Sequence, residues 1–417
     1  MVWDGTAWVR QPLTQPITAS DTFSTDAFGR QRVSEPQTLF DSKQCHDALP
    51  LIWDDVETSG GSTTSTYSAY RASSLLAVAN GVAGTRVRQT KKRFNYQPGK
   101  SQLILVTFVL GGSKTGVTKR VGYFDASNGI FLQHKDGAAS LTRRTSVSGT
   151  PSDTDNVAQA SWNLDPMDGT GVSGITLDWT KAQILFIDME WLGVGRVRVG
   201  FVVNGLIYYA HEFVHSNVIT SVYMSDPNQP IRYEITGSAS QTGDTLECIC
   251  ASVMSEGGLS DTAFPFATST ATAITGGVGT VYAAVGIRKK TTHTSKLVDL
   301  TGVSVLLVAA AARSARWTLR LNPTVAGTGG DAWAGKYADI TNSALQAALG
   351  VVANTVTGGT IIASGFVENA NSASVPISSL LPLGSTVAGV RDEIVLCVAP
   401  IGGTVDIYGA LNWKEYA

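Results

Sequence analysis

The chain has 417 residues, 43% of them apolar and 15% charged, with a net charge of −2. It is too apolar for a disordered polypeptide, too long for one ordinary core, and too near neutrality to gather nucleic acid or an acidic membrane by its overall field. Gly, Ser, Thr and Val fill the room left by charge, a composition suited to strands, tight turns and surface buried against neighbouring copies.

Residues 1–28 are polar and punctuated by proline, and they lack the basic start and apolar run of a signal peptide, so synthesis in the cytoplasm is expected. No apolar stretch approaches the ~20 residues of a membrane helix, and no membrane insertion is expected. The segment reads as an extended arm. Trp3 and Trp8 have no core of their own there and are expected to dock on a partner or on the body, a short hairpin being the alternative.

From 29 to 256 strand follows strand. Residues 101–110 form a buried run, 119–124 alternate, and the turn Asp125–Gly129 leads into 130–134 as a hairpin. Residues 183–191 precede a Gly193-Val-Gly195 turn, 196–203 follow, and Asn204-Gly205 is a strong two-residue hairpin signal before 206–215. Residues 232–236 and 246–254 complete the set. The cluster Arg86, Arg88, Lys91, Lys92, Arg93 reads as the solvated face of a strand. Glu256-Gly257-Gly258 marks a boundary. Beyond it, 283–290, 296–309, 316–321, 360–366, 393–398 and 404–413 read as strands, and 342–349 as a short helix. The expectation is an all-β chain: an arm (1–28) followed by two antiparallel β-sandwich, jelly-roll-like domains in tandem (29–256 and 257–417).

Three constellations invite a catalytic reading. His211-Glu-Phe-Val-His215 matches H-E-x-x-H, a zinc motif that works because a helix places both histidines on one face. After a hairpin turn it falls on a strand, where those histidines stand roughly 13 Å apart, too far for one ion. Phe186-Ile-Asp188-Met-Glu190-Trp resembles the Glu-x-Asp-x-Glu strand of the retaining jelly-roll β-glucanases, in which the end carboxylates act as nucleophile and acid/base. Phe186 occupies the nucleophile position, so the resemblance does not imply a hydrolase, and Asp188 and Glu190 are expected to be structural. Cys45-His46-Asp47 is a sequence neighbourhood, not a triad, because adjacent residues point apart. Cys45, Cys248, Cys250 and Cys397 read as buried free thiols, with Cys248 and Cys250 on one strand face, and no disulfide framework or zinc pattern is present. No catalytic, cofactor-binding or metal residue is expected.

The element Phe28-Gly-Arg30-Gln-Arg32-Val-Ser-Glu-Pro36-Gln-Thr-Leu39-Phe40-Asp-Ser-Lys43 resembles one near the start of bacteriophage virion structural proteins of tail-fibre, baseplate and decoration type. Later blocks are similar to the same group: 96–100, 120–125 with 128–130, 191–196, 226–234 and 409–413. The resemblance implies a tail-associated virion protein acting through assembly contacts, with a capsid-attached decoration or head-fibre role as the alternative. It implies other virion proteins and copies of itself, as a homotrimer, for partners, and leaves a host-surface glycan open as a further one. Trp3, Trp8, Phe28, Arg30, Arg32, Leu39 and Phe40 are the candidate assembly residues, since aromatic and arginine side chains carry most interface energy. A lectin-like module and a polysaccharide depolymerase are the competing readings.

Overall fold

A computed structural model describes residues 2–3, 8–9, 26–28, 35–258, 262–368, 372–376 and 383–416. Strands between Pro36–Lys43 and Asp244–Glu256 build one pair of antiparallel sheets, and those between Ala263–Ser269 and Val405–Tyr416 build another. In the first pair, the seven-stranded sheet sets Ile231–Gly237 between Val117–Phe124 and Gly84–Thr90. The eight-stranded sheet sets Asp244–Glu256 beside Gln102–Val109, with the hairpin series Gln183–Met189, Val197–Val203 and Leu206–Phe213 running out to one edge. Strands far apart in sequence thus lie side by side, as jelly-roll-like winding requires.

Local chemistry fixes the turns. Asn204 and Gly205 both have positive φ (52° and 80°), the conformation that a two-residue hairpin turn demands. At the other predicted turn, Asp125 Oδ1 accepts the backbone N–H groups of Ser127 and Asn128 at 2.6 and 2.8 Å. Period-2 alternation then fills the core: Leu185, Ile187 and Met189 meet Val197, Val199 and Phe201 between the sheets.

The second pair comprises a five-stranded and a six-stranded sheet. Its central strand Glu393–Pro400 is apolar on both faces. Ile394, Leu396 and Val398 enter the sandwich core, while Val395 and Cys397 join Trp333 and Val356 in a small cluster on the outer face. Trp413 is fully buried in this sandwich, with Phe266 stacked on it.

Three expectations are corrected. Residues 342–349 are not helical: Asn342 has φ +61°, a turn, and Leu345–Leu349 is a strand paired with Tyr282–Lys289. The basic cluster is not a solvated face. Arg88 is fully buried, and both it and Arg86 pair with Asp55 on the neighbouring strand, at 3.2 and 2.6 Å. Of the cysteines, Cys248 and Cys397 are buried, but Cys45 and Cys250 are exposed. A bulge between Cys248 and Cys250 puts an extra residue into the strand and turns the two thiols to opposite faces. Among the described residues the helices are short 3-10 turns, and none is long and apolar enough to cross a membrane.

Candidate functional site

His211 lies on Leu206–Phe213 opposite Val199, whereas His215 lies past the strand's end. His211 Nδ1 accepts the Asn163 N–H at 3.2 Å, and its ring meets Phe213 edge-on. His215 Nδ1 bonds the Gly195 carbonyl, and its ring stacks on Tyr223 with centroids 4.1 Å apart. Glu212 pairs with Arg196 at 3.4 Å. The three side chains serve three different contacts. No group of three metal-ligating residues is close enough to hold an ion among the described residues.

Burial pushes both imidazoles down to about 4. They are therefore neutral in the fold at pH values where an unfolded chain, titrating near 6.5, binds the proton. Stability should fall as pH drops from about 6.5 to about 4 and this contribution should level off below. Imidazole resonances with midpoints near 4, and no displacement of both on adding zinc, are the expected NMR result.

Phe186 and Asp188 share the face of the eight-stranded sheet that points away from the core, and Glu190 lies one residue past the end of Gln183–Met189, yet all three are buried. Asp188 stands directly across from Arg198. The guanidinium donates Nε–H to Asp188 Oδ2 at 3.1 Å and a second bond through Nη2, and Ser101 Oγ donates to Oδ1. Gly200 lies between Phe186 and Tyr209 on the middle strand, and a Cβ there would meet the Tyr208 carbonyl at 2.1 Å. Without that Cβ the two rings close to 5.8 Å, and Arg198 lies over Tyr209 at 4.5 Å. The carboxylate is an anchor for a cation, not a base facing a groove. Sequence reasoning missed this pair, although a hairpin centred on Gly193 already places 188 opposite 198.

The N-terminal element divides. Ala27 is buried and its carbonyl accepts Arg196 Nε–H at 3.0 Å, so the arm meets the body there, while Phe28 is partly exposed. Leu39 and Phe40 lie on Pro36–Lys43 and pack on the first core, Phe40 against Trp53 and Phe94 with centroids 6.1 and 4.9 Å away. Their contacts are thus made within the chain, because pairing of Pro36–Lys43 with Asp244–Glu256 turns them inward. The backbones of Trp3 and Trp8 pair in a short antiparallel ladder. Arg30 and Arg32 lie outside the described residues. Cys45 and His46 are exposed, and Asp47 Oδ1 accepts the Leu49 N–H at 2.9 Å, a local turn contact.

The blocks 96–100, 120–125, 191–196 and 226–234 of the first sandwich, by contrast, converge. Asn228 Oδ1 accepts the Tyr96 N–H at 2.8 Å, and Tyr123 Oη bonds the carbonyls of Phe94 and Pro227 at 3.1 Å. Arg120 and Arg232 hold Glu234 between them at 2.6 and 3.0 Å. Burial works to raise the Glu234 carboxyl, but the two guanidinium groups outweigh it and keep it below its ordinary range. Trp191 sits edge-on to Tyr96 and donates to the Met224 carbonyl at 2.9 Å. These blocks are joints of the scaffold.

A concavity of about 880 Å³ lies between the sandwiches, with Glu57, Arg93 and Arg232 on one wall and Thr291 and Thr386 on the other. Its charges are already matched: Arg93 with Asp125 at 2.6 Å, Arg232 with Glu234, and Glu57 with the Thr63 N–H at 2.7 Å. The arrangement offers a polar surface but no uncommitted acid or base on those side chains.

No protein-family model and no curated protein sequence matches the chain. Among solved structures it is similar to the CBM2 module of the evolved Dit of Lactobacillus casei BL23 phage J-1 (8% identity, TM-score 0.36, 54% of this chain and 99% of that one). It is also similar to the Emp47p carbohydrate recognition domain (10%, 0.33, 54% and 98%) and to a Bacillus licheniformis β-glucanase (9%, 0.34, 54% and 99%). At these TM-scores the likeness assigns neither ligand nor chemistry.

Proposed function

We propose that the chain is a non-enzymatic structural component of a bacteriophage particle, tail-associated, working through contacts with copies of itself and with other virion proteins. The sequence resemblance supports the particle, and the scaffold role of the resembling blocks supports a structural task. The observation that carries the assembly reading is the edge strand Thr360–Glu368. Among the described residues no strand pairs its outer side, positions 360–367 carry no charge, and Phe366 and Ile361 are 70% and 50% exposed. Soluble proteins blunt such edges with lysine, proline or a cover. An edge without them fits a chain that meets another chain.

Sedimentation of the purified protein tests this. The wild type is expected to self-associate, as a trimer, and Ile361→Lys with Phe366→Lys to sediment as a monomer with an unchanged unfolding curve. Mass spectrometry of purified particles should find the wild-type chain in stoichiometric amount. A monomeric wild type that is absent from particles would sink the reading.

A further inference from the structure

A second concavity, on the second sandwich, is chemically unlike the cleft. It encloses about 550 Å³, within the ~300–1,000 Å³ of small-molecule sites. Phe264 and Phe266 form one side, and Lys290, His293 and Lys296 rim the other. Phe264 is 62% exposed, a large aromatic face left to water, while Phe266 is held by stacking on buried Trp413 at 6.1 Å and 17° between planes.

The floor is prebuilt. Glu415 is buried there and accepts bonds from Trp413 Nε1 (2.9 Å), the Ala344 N–H (2.8 Å) and Ser343 Oγ. Three donors hold this carboxylate in place at the floor, so it is not free to take a ligand's own donors. The Lys290 ammonium reaches the Ile340 carbonyl at 3.0 Å and lies 3.8 Å from exposed Asp339. Lys296 is different: among the described residues no hydrogen bond or ion pair engages its ammonium. His293 is exposed beside it on the same turn. The Asn342 amide adds a neutral rim group.

A ligand that matches these groups has one apolar face for the phenyl ring, polar groups at its rim, and a negative charge opposite the lysines. A pyranose ring carries axial C–H groups on one face and hydroxyls around its edge, and a carboxylate supplies the charge. We propose that this pocket binds a carboxylated saccharide, of the uronic- or sialic-acid kind, through Phe264 and Lys296. The proposal does not rest on the assembly reading, and the two fail separately, one by particle content and the other by ligand titration.

The test is calorimetric titration of the full chain with trigalacturonate, its methyl ester, sialyllactose, acetate and an oligoglutamate peptide. Saturable binding is expected for one or both acidic sugars, with the uncharged ester at least about tenfold weaker and acetate silent. Trigalacturonate against sialyllactose tells uronic from sialic specificity, and either supports the proposal. Phe264→Ala and Lys296→Gln should each weaken binding by about tenfold or more while leaving the urea unfolding midpoint unchanged. Equal binding of the ester, of acetate or of oligoglutamate would overturn the assignment, as would no saturable binding of either sugar. Undiminished affinity in Phe264→Ala would do so too.

Discussion

Asp188→Ala is expected to destabilise the first sandwich by about 3–5 kcal/mol, because it takes from the buried guanidinium of Arg198 the carboxylate that answers it across the ladder. Both residues have no exposure, and Ser101 Oγ would lose its acceptor as well. The size follows from asymmetry. A matched buried pair contributes little beyond an apolar pair of the same shape, but half of one leaves a charge in a medium that cannot solvate it. The double replacement Asp188→Leu with Arg198→Met should therefore recover most of the loss, since Phe186 and Tyr209 already make the surroundings apolar. Urea unfolding followed by tryptophan fluorescence measures all three variants. If Asp188→Ala unfolds with the wild type, the carboxylate is not the anchor described, and a chemical role for it returns.

The second large effect concerns Lys289, which is almost fully buried near the joint between the sandwiches. Burial first, and then the nearby Arg93 and Lys92, push its ammonium down to about 7, against the opposing pull of Asp392 and Asp299. Its Nζ donates to the Thr294 carbonyl at 3.0 Å. The folded-state value lies below the ordinary lysine value near 10.4, so between the two the unfolded chain holds the proton and the folded chain does not. Stability must rise with pH across that window, and below about 7 the full penalty for the buried charge remains. Each tenfold change in proton affinity is worth about 1.4 kcal/mol, so the penalty is a few kcal/mol. Lys289→Met should stabilise the protein at pH 7 and flatten the rise between pH 7 and 10, read as urea midpoints at both ends. A variant less stable than wild type at pH 7, with the pH slope intact, would show that the lysine is needed charged.

The joint also shows why the basic cluster was misread from sequence. Alternation through Val87 and Gln89 identifies a strand correctly, and Gly84–Thr90 is one. A solvated face does not follow, because the strand sets Arg88 beside Tyr233 of the neighbouring Ile231–Gly237, on the face that meets the core between the sheets. The Lys91 carbonyl accepts the Ser385 N–H at 3.1 Å and Asp54 Oδ2 accepts the Val387 N–H at 2.7 Å, so the second sandwich closes over its end. Nothing within a dozen residues of Arg88 announces either neighbour.

The sequence alone determined what depends on near neighbours. Alternation of apolar side chains set the strands, Asn204-Gly205 and Asp125–Gly129 set the hairpins, and the strand geometry after Gly205 kept His211 and His215 from acting as a helical zinc pair. Tertiary structure alone decided what happens to the polar residues those strands carry. Glu234 meets Arg120 across 114 positions of chain, and Phe264 and Phe266 join Lys290 and Lys296 only because Ala263–Ser269 pairs with the final strand Val405–Tyr416. Period two tells which side chains share a face. Whether that face is covered, and by which charge, is fixed by segments that the chain brings back from far away, and that is what separates an internal ion pair from an open site.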